Sequence, residues 1–526
     1  MRGPEPAPHP VTLPAMLDDA ARSAPDRVFL IERDAQRRWR QITFATAAKR
    51  ARRIAAALRS LGASETQPLM ILSGNGIDHA LMLLGAASAA IPVAPVAAGI
   101  GLEAHDGYAH LRAISEVVRP AVVFARDGAA YAGAVRSVAP AAAFISVTEP
   151  SPGPRAFDYA QLLTHAPLPE GAVHVGGETI AKLMFAADPP SESAAVVVTH
   201  GMLGAMLQGL TQAWPFLLRR PPEIVGALPW SGAFGGNVAF GLALRHAGTL
   251  HVDAAPATAP TLAFDLPSGW ARRVELLRAD DALRRRWLAN IDVACWSGAT
   301  MPPATRDALR AIGLPLAAVW GSTETAGAIC ATGGADPVFD ALGAPLAGVE
   351  VALHPAGDAY EARVRGAQVT TGYYWQPERT AAVFDGDGFL RTGDLVRAVH
   401  TRAPQRGLAY AGRLDQSFRL SSGAWVRAAE LRDAFLAECS DARDVRVTGQ
   451  GGSEIGLLVW PTPEAALLDR DVLRAQVVDA MRRVVSAGRG APHRALIIDA
   501  PLRHATNASL AARLHASEPD AEVIVR

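Results

Sequence analysis

Short apolar runs that end in glycine-rich turns and lead into helical patterns recur along this chain, and that alternation constrains its fold more than any other feature. Leu69-Met70-Ile71-Leu72 closes on Gly74-Asn75-Gly76 before an apolar helix begins at Ile77. Ala121-Val122-Val123-Phe124 and Ala143-Phe144-Ile145-Ser146-Val147 repeat the theme. Strands alternating with helices predict an α/β domain with a largely parallel sheet. Upstream, from Leu13 to Leu61, the pattern predicts two amphipathic helices flanking one short strand. Ile54, Leu58 and Leu61 fall at helical spacing, and Gly62 is a natural C-cap.

The stretch from Ala80 to Ile100 is nearly uncharged and long enough to span a bilayer. Pro92 and Pro95 interrupt it, so it reads as a buried helix (77–90) running into a buried strand or loop (91–96). The Pro-rich opening, residues 1–12, reads as a disordered tail without the apolar core of a signal peptide. Alternation continues past Ile224, and glycine turns with short strands dominate between Gly343 and Gly393. After Gly412-Arg413-Leu414-Asp415 a compact strand–helix–strand pattern runs to the end. The expected organisation is therefore a tail (1–12), a large sheet-and-helix domain with a β-rich subdomain (13–414), and a small α+β lid (415–526).

At 526 residues the chain is long enough for such a layout, and 50% hydrophobic against 19% charged composition supplies the core. A formal net charge of zero argues against a broad nucleic-acid or anionic-membrane footprint. Three scattered cysteines (Cys295, Cys330, Cys439) form no CxxC pair and fit a reducing, cytoplasmic setting. There are only two lysines, Lys49 and Lys182, so any catalytic lysine must be one of them.

Several short motifs carry possible chemistry. Trp320-Gly321-Ser322-Thr323-Glu324-Thr325 follows the apolar run Leu316 to Val319, where an α/β sheet binds ligands. Its hydroxyls suit a phosphate and its carboxylate a Mg²⁺ ion, or the group is a helix N-cap with a capping-box-like Glu. Thr392-Gly393-Asp394 suits the hydroxyls of a ribose, or is an ordinary turn. Gly412-Arg413-Leu414-Asp415 is weak alone.

In this order, with Gly343-Ala344-Pro345, Arg365-Gly366 and Thr371-Gly372-Tyr373-Tyr374, the chain resembles the adenylate-forming superfamily of acyl-CoA synthetases, nonribosomal-peptide adenylation domains and luciferases. Among these it looks most like feruloyl-CoA synthases. Leu228-Pro229-Trp230-Ser231-Gly232-Ala233-Phe234-Gly235-Gly236-Asn237 is similar to their acyl-pocket segment. Phe418 to Val426, and Leu510 to His515 with Val523-Ile524, are similar too. The resemblance implies that Glu324 holds Mg²⁺ and Thr323 contacts the α-phosphate. Trp320 would stack on adenine beside Gly298 and Ala299, and Asp394 and Arg413 would grip the ribose. Asp415 would be a hinge, and Gly423 would let a CoA arm pass. Trp230, Phe234, Gly235 and Asn237 would line the pocket for a carboxylic acid, although aromatic residues there also read as plain core.

The sequence departs from the family at the phosphate loop. Family loops are Ser/Thr/Gly-rich, so that backbone N–H groups nest a polyphosphate, and they carry a lysine near the end. Here the aligned run from Phe185 to His200 has Asp188 and Ser191 for the two glycines and Ala194 for the lysine. Pro189 and Pro190 remove N–H donors, and Asp188 and Glu192 add negative charge. A family histidine aligns with Gly232, and the expected C-terminal lysine is missing from residues 502–509, where Arg503 is the substitute on offer. Ser191, Ser193 and Thr199 remain as phosphate donors. Three functions stay open from the residues: a conventional aryl-acid CoA ligase cleaving ATP, an acyl-transfer enzyme binding AMP or acyl-adenylate without cleaving ATP, and a non-catalytic scaffold with a biosynthetic partner protein.

Overall fold

The computed structural model describes all residues except 10, 35, 103, 105–106, 150–152, 154, 186–193, 227, 254–257, 333–341, 358, 400–406, 416, 423–424, 451, 487–491, 499–521 and 525–526. The chain divides into two compact units. The first comprises Met1–Ala352, Val364–Leu390 and Val399–Leu408; the second comprises Leu353–Arg363, Arg391–Ala398 and Ala409–Arg526. The β-rich region is a four-stranded sheet built from Glu350–Ala356, Ala359–Arg365, Leu390–Ala398 and Leu408–Arg413.

Two largely parallel sheets form the first unit. In the nine-stranded one, Leu316–Trp320, Val293–Trp296, Leu262–Asp265, Glu223–Val225, Thr249–His251 and Val28–Arg33 run parallel in that spatial order, with antiparallel strands at both edges. The seven-stranded one is parallel until its last pair, where Ile180–Phe185 meets Ala195–Thr199 antiparallel. Its core packs Met70, Val123 and Phe144, from the apolar runs that the sequence marked as strands, together with Leu183 and Val197.

Local chemistry explains the elements around the sheets. Thr43 caps the helix Phe44–Ser60 by accepting from Thr46 N, and Ala47, Ala51, Ile54 and Leu58 form its buried stripe. Gly62 follows at φ +96°, the left-handed conformation a helix C-terminus uses. The uncharged stretch resolves into the buried helix Ile77–Ser88 and the strand Val93–Pro95. Among the described residues no helix is long and apolar enough to cross a membrane.

Two expectations need correction. The single strand foreseen between the first two helices is a hairpin, Val28–Arg33 with Trp39–Thr43. Asp34 Oδ1 accepts from the backbone N–H groups of Gln36 and Arg38, which closes the turn that reverses the chain. The opening residues are not a free tail. Gly3 N donates to Val349 O, Gly348 N to Pro4 O, and Arg2 bridges Glu350, so residues 1–4 satisfy an otherwise unpaired strand edge.

Four charges tie the two sheets together. Glu32 is buried on the hairpin, Asp78 on the helix Ile77–Ser88, and Arg126 ends a strand of the other sheet. Arg126 Nη2 lies 2.7 Å from Glu32 and 3.2 Å from Asp78, and Arg40 reaches both carboxylates at 3.4 Å. Glu32 Oε2 also accepts from Ile77 N at 2.9 Å.

The second unit carries its own core of Phe435, Val445, Leu457, Val477, Met481 and Ala495. It packs the helices Ala428–Glu438 and Arg470–Ser486 on the sheet of Ala442–Thr448, Ile455–Pro461, Pro492–Ile497 and Glu522–Ile524. The strands and helices foreseen as a compact pattern after Asp415 are present in these elements.

Candidate functional site

At the carboxyl end of Leu316–Trp320 the chain enters a three-residue turn, Thr323–Thr325, followed by Ala326 and Gly327 at φ 56° and 108°. The capping alternative is answered by distance: Thr325 Oγ1, not Glu324, accepts from Ser322 N at 2.8 Å. Glu324 faces elsewhere. Its Oε1 accepts from Tyr373 Oη at 3.0 Å, and its carbonyl accepts from Thr370 N at 2.7 Å. Thr370 Oγ1 in turn donates to Val197 O at 2.6 Å, and Val197 N donates to Gly372 O at 3.0 Å. Glu324 is thereby fixed beside the strand that leaves the phosphate-loop segment. The loop itself, with Asp188, Pro189, Pro190, Ser191, Glu192 and Ser193, lies outside the described residues, as do Gly423, Arg503 and 510–515.

Gly298 and Ala299 follow the neighbouring parallel strand, Val293–Trp296. Trp296 pairs with Ala318 in that register, so Gly298 and Ala299 leave the sheet at the same end as Trp320. Gly298 (φ +85°) and Ala299 are exposed, whereas Trp320 is 7% exposed. Among the described residues, Glu324 belongs to no cluster of three His, Cys, Asp or Glu. That suits Mg²⁺ held mainly by phosphate and water oxygens, and does not suit a metal caged by protein alone.

The segment from Leu228 to Ala239 is pinned at both ends. Asn75, from the Gly-Asn-Gly turn, donates to Leu228 O and accepts from Trp230 N, each at 2.8 Å. Trp230 is 2% exposed and packs edge-on against His79 and Phe240, while half-buried Phe234 sits edge-on to Phe264. Phe234–Ala239 forms one π-helical turn, a geometry that concentrates at functional sites. A side chain at Gly235 or Gly236 would collide with the carbonyls of Leu228, Pro229 and Trp230. Beneath the turn, Lys182 Nζ donates to Gly236 O at 2.7 Å and to Asn237 Oδ1 at 2.9 Å.

Both lysines are thus located. Lys182 is 1% exposed, and burial pushes its ammonium down to about 7. Lys49 lies on the helix Phe44–Ser60 beside Asp18, Arg52 and Glu170. Sequence reasoning gave no role to Asn75, Tyr373 or Lys182. Asn75 was marked only as a turn, and Tyr373 only as part of a motif. Lys182 had one visible signal, a charge inside the otherwise apolar run Ile180–Phe185.

In the second unit Asp394 and Arg413 meet. Arg413 Nη1 donates to Asp394 Oδ1 at 3.2 Å and to Thr392 O at 3.0 Å, and Nε donates to Asp415 Oδ1 at 3.1 Å. Asp394 N donates to Thr392 Oγ1 at 3.0 Å. Gly393, at φ +69°, packs under the Arg413 guanidinium. Although burial works against the guanidinium charge, the two carboxylates outweigh it and hold Arg413 above its ordinary range.

Comparison with known proteins defines the class. The fold matches ATP-bound MatB from Rhodopseudomonas palustris with a TM-score of 0.75 at 21% identity, over 94% of this chain and 96% of that one. It also matches the A domain of carboxylic acid reductase from Segniliparus rugosus, solved with AMP and a co-purified carboxylic acid, with a TM-score of 0.72 at 17% identity, over 96% and 93% of the two chains. A chloroplastic long-chain-fatty-acid–[acyl-carrier-protein] ligase of Arabidopsis thaliana is 26% identical over 223 residues, 39% of this chain and 30% of that protein. The AMP-binding enzyme pattern matches residues 17–374, and the chain belongs to that family.

Proposed function

We propose that this protein is a feruloyl-CoA-synthase-like, acyl-activating homologue that binds AMP or the acyl-adenylate of an aryl or related carboxylic acid, with ATP-driven activation weakened. One contrast carries the reading. Glu324 is held by Tyr373, and Asp394 with Arg413, as the nucleoside end of such a site needs. Meanwhile Lys182, one of the two lysines, is committed to Gly236 and Asn237, and no lysine stands in or after the phosphate-loop segment. Losing one preorganised donor to a developing charge costs on the order of 10²–10³ in rate, and the loop segment also exchanges two family glycines for Asp188 and Ser191.

In this reading Trp320, Gly298 and Ala299 receive adenine, Asp394 and Arg413 the ribose, and Thr323 the α-phosphate. Glu324 is the carboxylate for Mg²⁺ when a nucleotide brings it. Trp230, Phe234, Gly235 and Asn237 shape the acyl pocket, and CoA is the acceptor by family likeness alone. A small lid after Asp415 and a cytoplasmic location, supported by three buried free cysteines, belong to the same reading. Calorimetry with AMP and ATP side by side tests it: AMP binds at least as tightly as ATP. ATP–pyrophosphate exchange with ferulate stays at the level of a Glu324→Ala control. Exchange at the pace of an ordinary ligase overturns the weakened-activation part. Silence towards AMP, ATP and acyl-adenylate alike leaves the scaffold reading, with a biosynthetic partner protein as its target.

A further inference from the structure

We propose that Lys182 is a positioning residue for the acyl pocket, holding the π-turn Phe234–Ala239 through the Gly236 carbonyl and the Asn237 side chain. The proposal rests on the reading of Leu228–Asn237 as the acyl segment. Burying an amine is costly unless its hydrogens are used. The amine of Lys182 has two acceptors within hydrogen-bond reach, Gly236 O at 2.7 Å and Asn237 Oδ1 at 2.9 Å. Asn237 is itself 1% exposed, with its amide nitrogen 3.2 Å from Met184 Sδ, so it has little freedom to turn away. A methionine at position 182 would fill similar space without burying an amine, but it would strand the Gly236 carbonyl and the Asn237 side-chain oxygen. What methionine cannot supply is the polar clamp on one carbonyl and one amide, which fixes where the turn sits. Because Lys182 lies three residues before the phosphate-loop segment, the clamp couples the strand Ile180–Phe185 to the wall that would face the acyl group.

The test compares the Lys182→Met, Asn237→Leu and double variants with the parent protein. Calorimetry with feruloyl-sulfamoyladenosine, a stable acyl-adenylate mimic, and with AMP reads the pocket, and hydrogen exchange reads the amides of 234–239. The expected result is a loss of about tenfold or more in affinity for the mimic, with AMP affinity within about twofold. The double variant loses no more than Lys182→Met alone, because that change already removes the contact with Asn237 as well as the one with Gly236. Exchange at 234–239 quickens selectively. Equal losses for mimic and AMP, unchanged affinity for both, or unchanged exchange at 234–239 overturns the proposal. If the parent protein binds neither ligand, the functional reading falls and the exchange result alone decides the role of Lys182. If Lys182→Met does not fold, Lys182→Gln carries the same measurements.

Discussion

The segment from Leu228 to Ala239 and the Arg413 cluster are both polar constructions, yet they are built in opposite ways. The segment from Leu228 to Ala239 is held by buried polar groups: Asn75 at one end, Lys182 and Asn237 at the other, and His79 against Trp230. The cluster of Asp394, Arg413 and Asp415 is held by charge, with Arg413 and Asp415 reaching solvent at 38% and 68% side-chain exposure. Buried hydrogen bonds fix position and are expensive to break, whereas half-exposed ion pairs cost little to rearrange. A wall that must keep its shape suits the first construction, and a group that must trade partners when a ligand arrives suits the second.

Protons give the largest way to break that contrast. Burial holds His79 down to about 4, His200 to about 3, and Lys182 to about 7. Each binds a proton less readily folded than unfolded, so the unfolded state carries the extra proton between the folded and unfolded pKa values. Stability therefore rises with pH through those windows, by about 1.4 kcal/mol per pH unit for each group in its window. His79 acts from about pH 4 and His200 from about pH 3, both up to about 6.5, and Lys182 acts from about 7 upward. Urea midpoints from pH 4.5 to 9 measure this. Lys182→Met should flatten only the alkaline limb, and an alkaline limb that persists in that variant would remove Lys182 from the account.

Next in size is Asn75→Ala, which strands Leu228 O and Trp230 N and should cost about 1–3 kcal/mol in chemical denaturation. A loss under about 0.5 kcal/mol would mean that water or a backbone shift replaces the clamp. The smallest effect sharpens the comparison from the other side. Asp415→Ala should change stability by no more than about 1 kcal/mol, because its pair with Arg413 is exposed. A larger change would show that the cluster is as rigid as the segment from Leu228 to Ala239.

Strands and helices were legible because burial imposes a period, as at Leu69–Ile71 and along the stripe Ala47, Ala51, Ile54 and Leu58. The hairpin at Asp34 was not, because the turn depends on a side chain folding back on its own backbone. The opening residues were not, because the edge they cover is some 350 positions away in sequence. Glu324, Asp394 and Arg413 each stand in recognisable motifs, but the contacts of Tyr373, Asn75 and Lys182 are with partners dozens of residues distant or more. No local pattern encodes such pairings.

The hairpin pairing Phe185 with Ala195 closes the sheet independently of what joins the two strands. A glycine-, serine- and lysine-bearing turn transplanted between those two residues is then a direct test of the proposed weakening of activation, with ATP–pyrophosphate exchange as its readout.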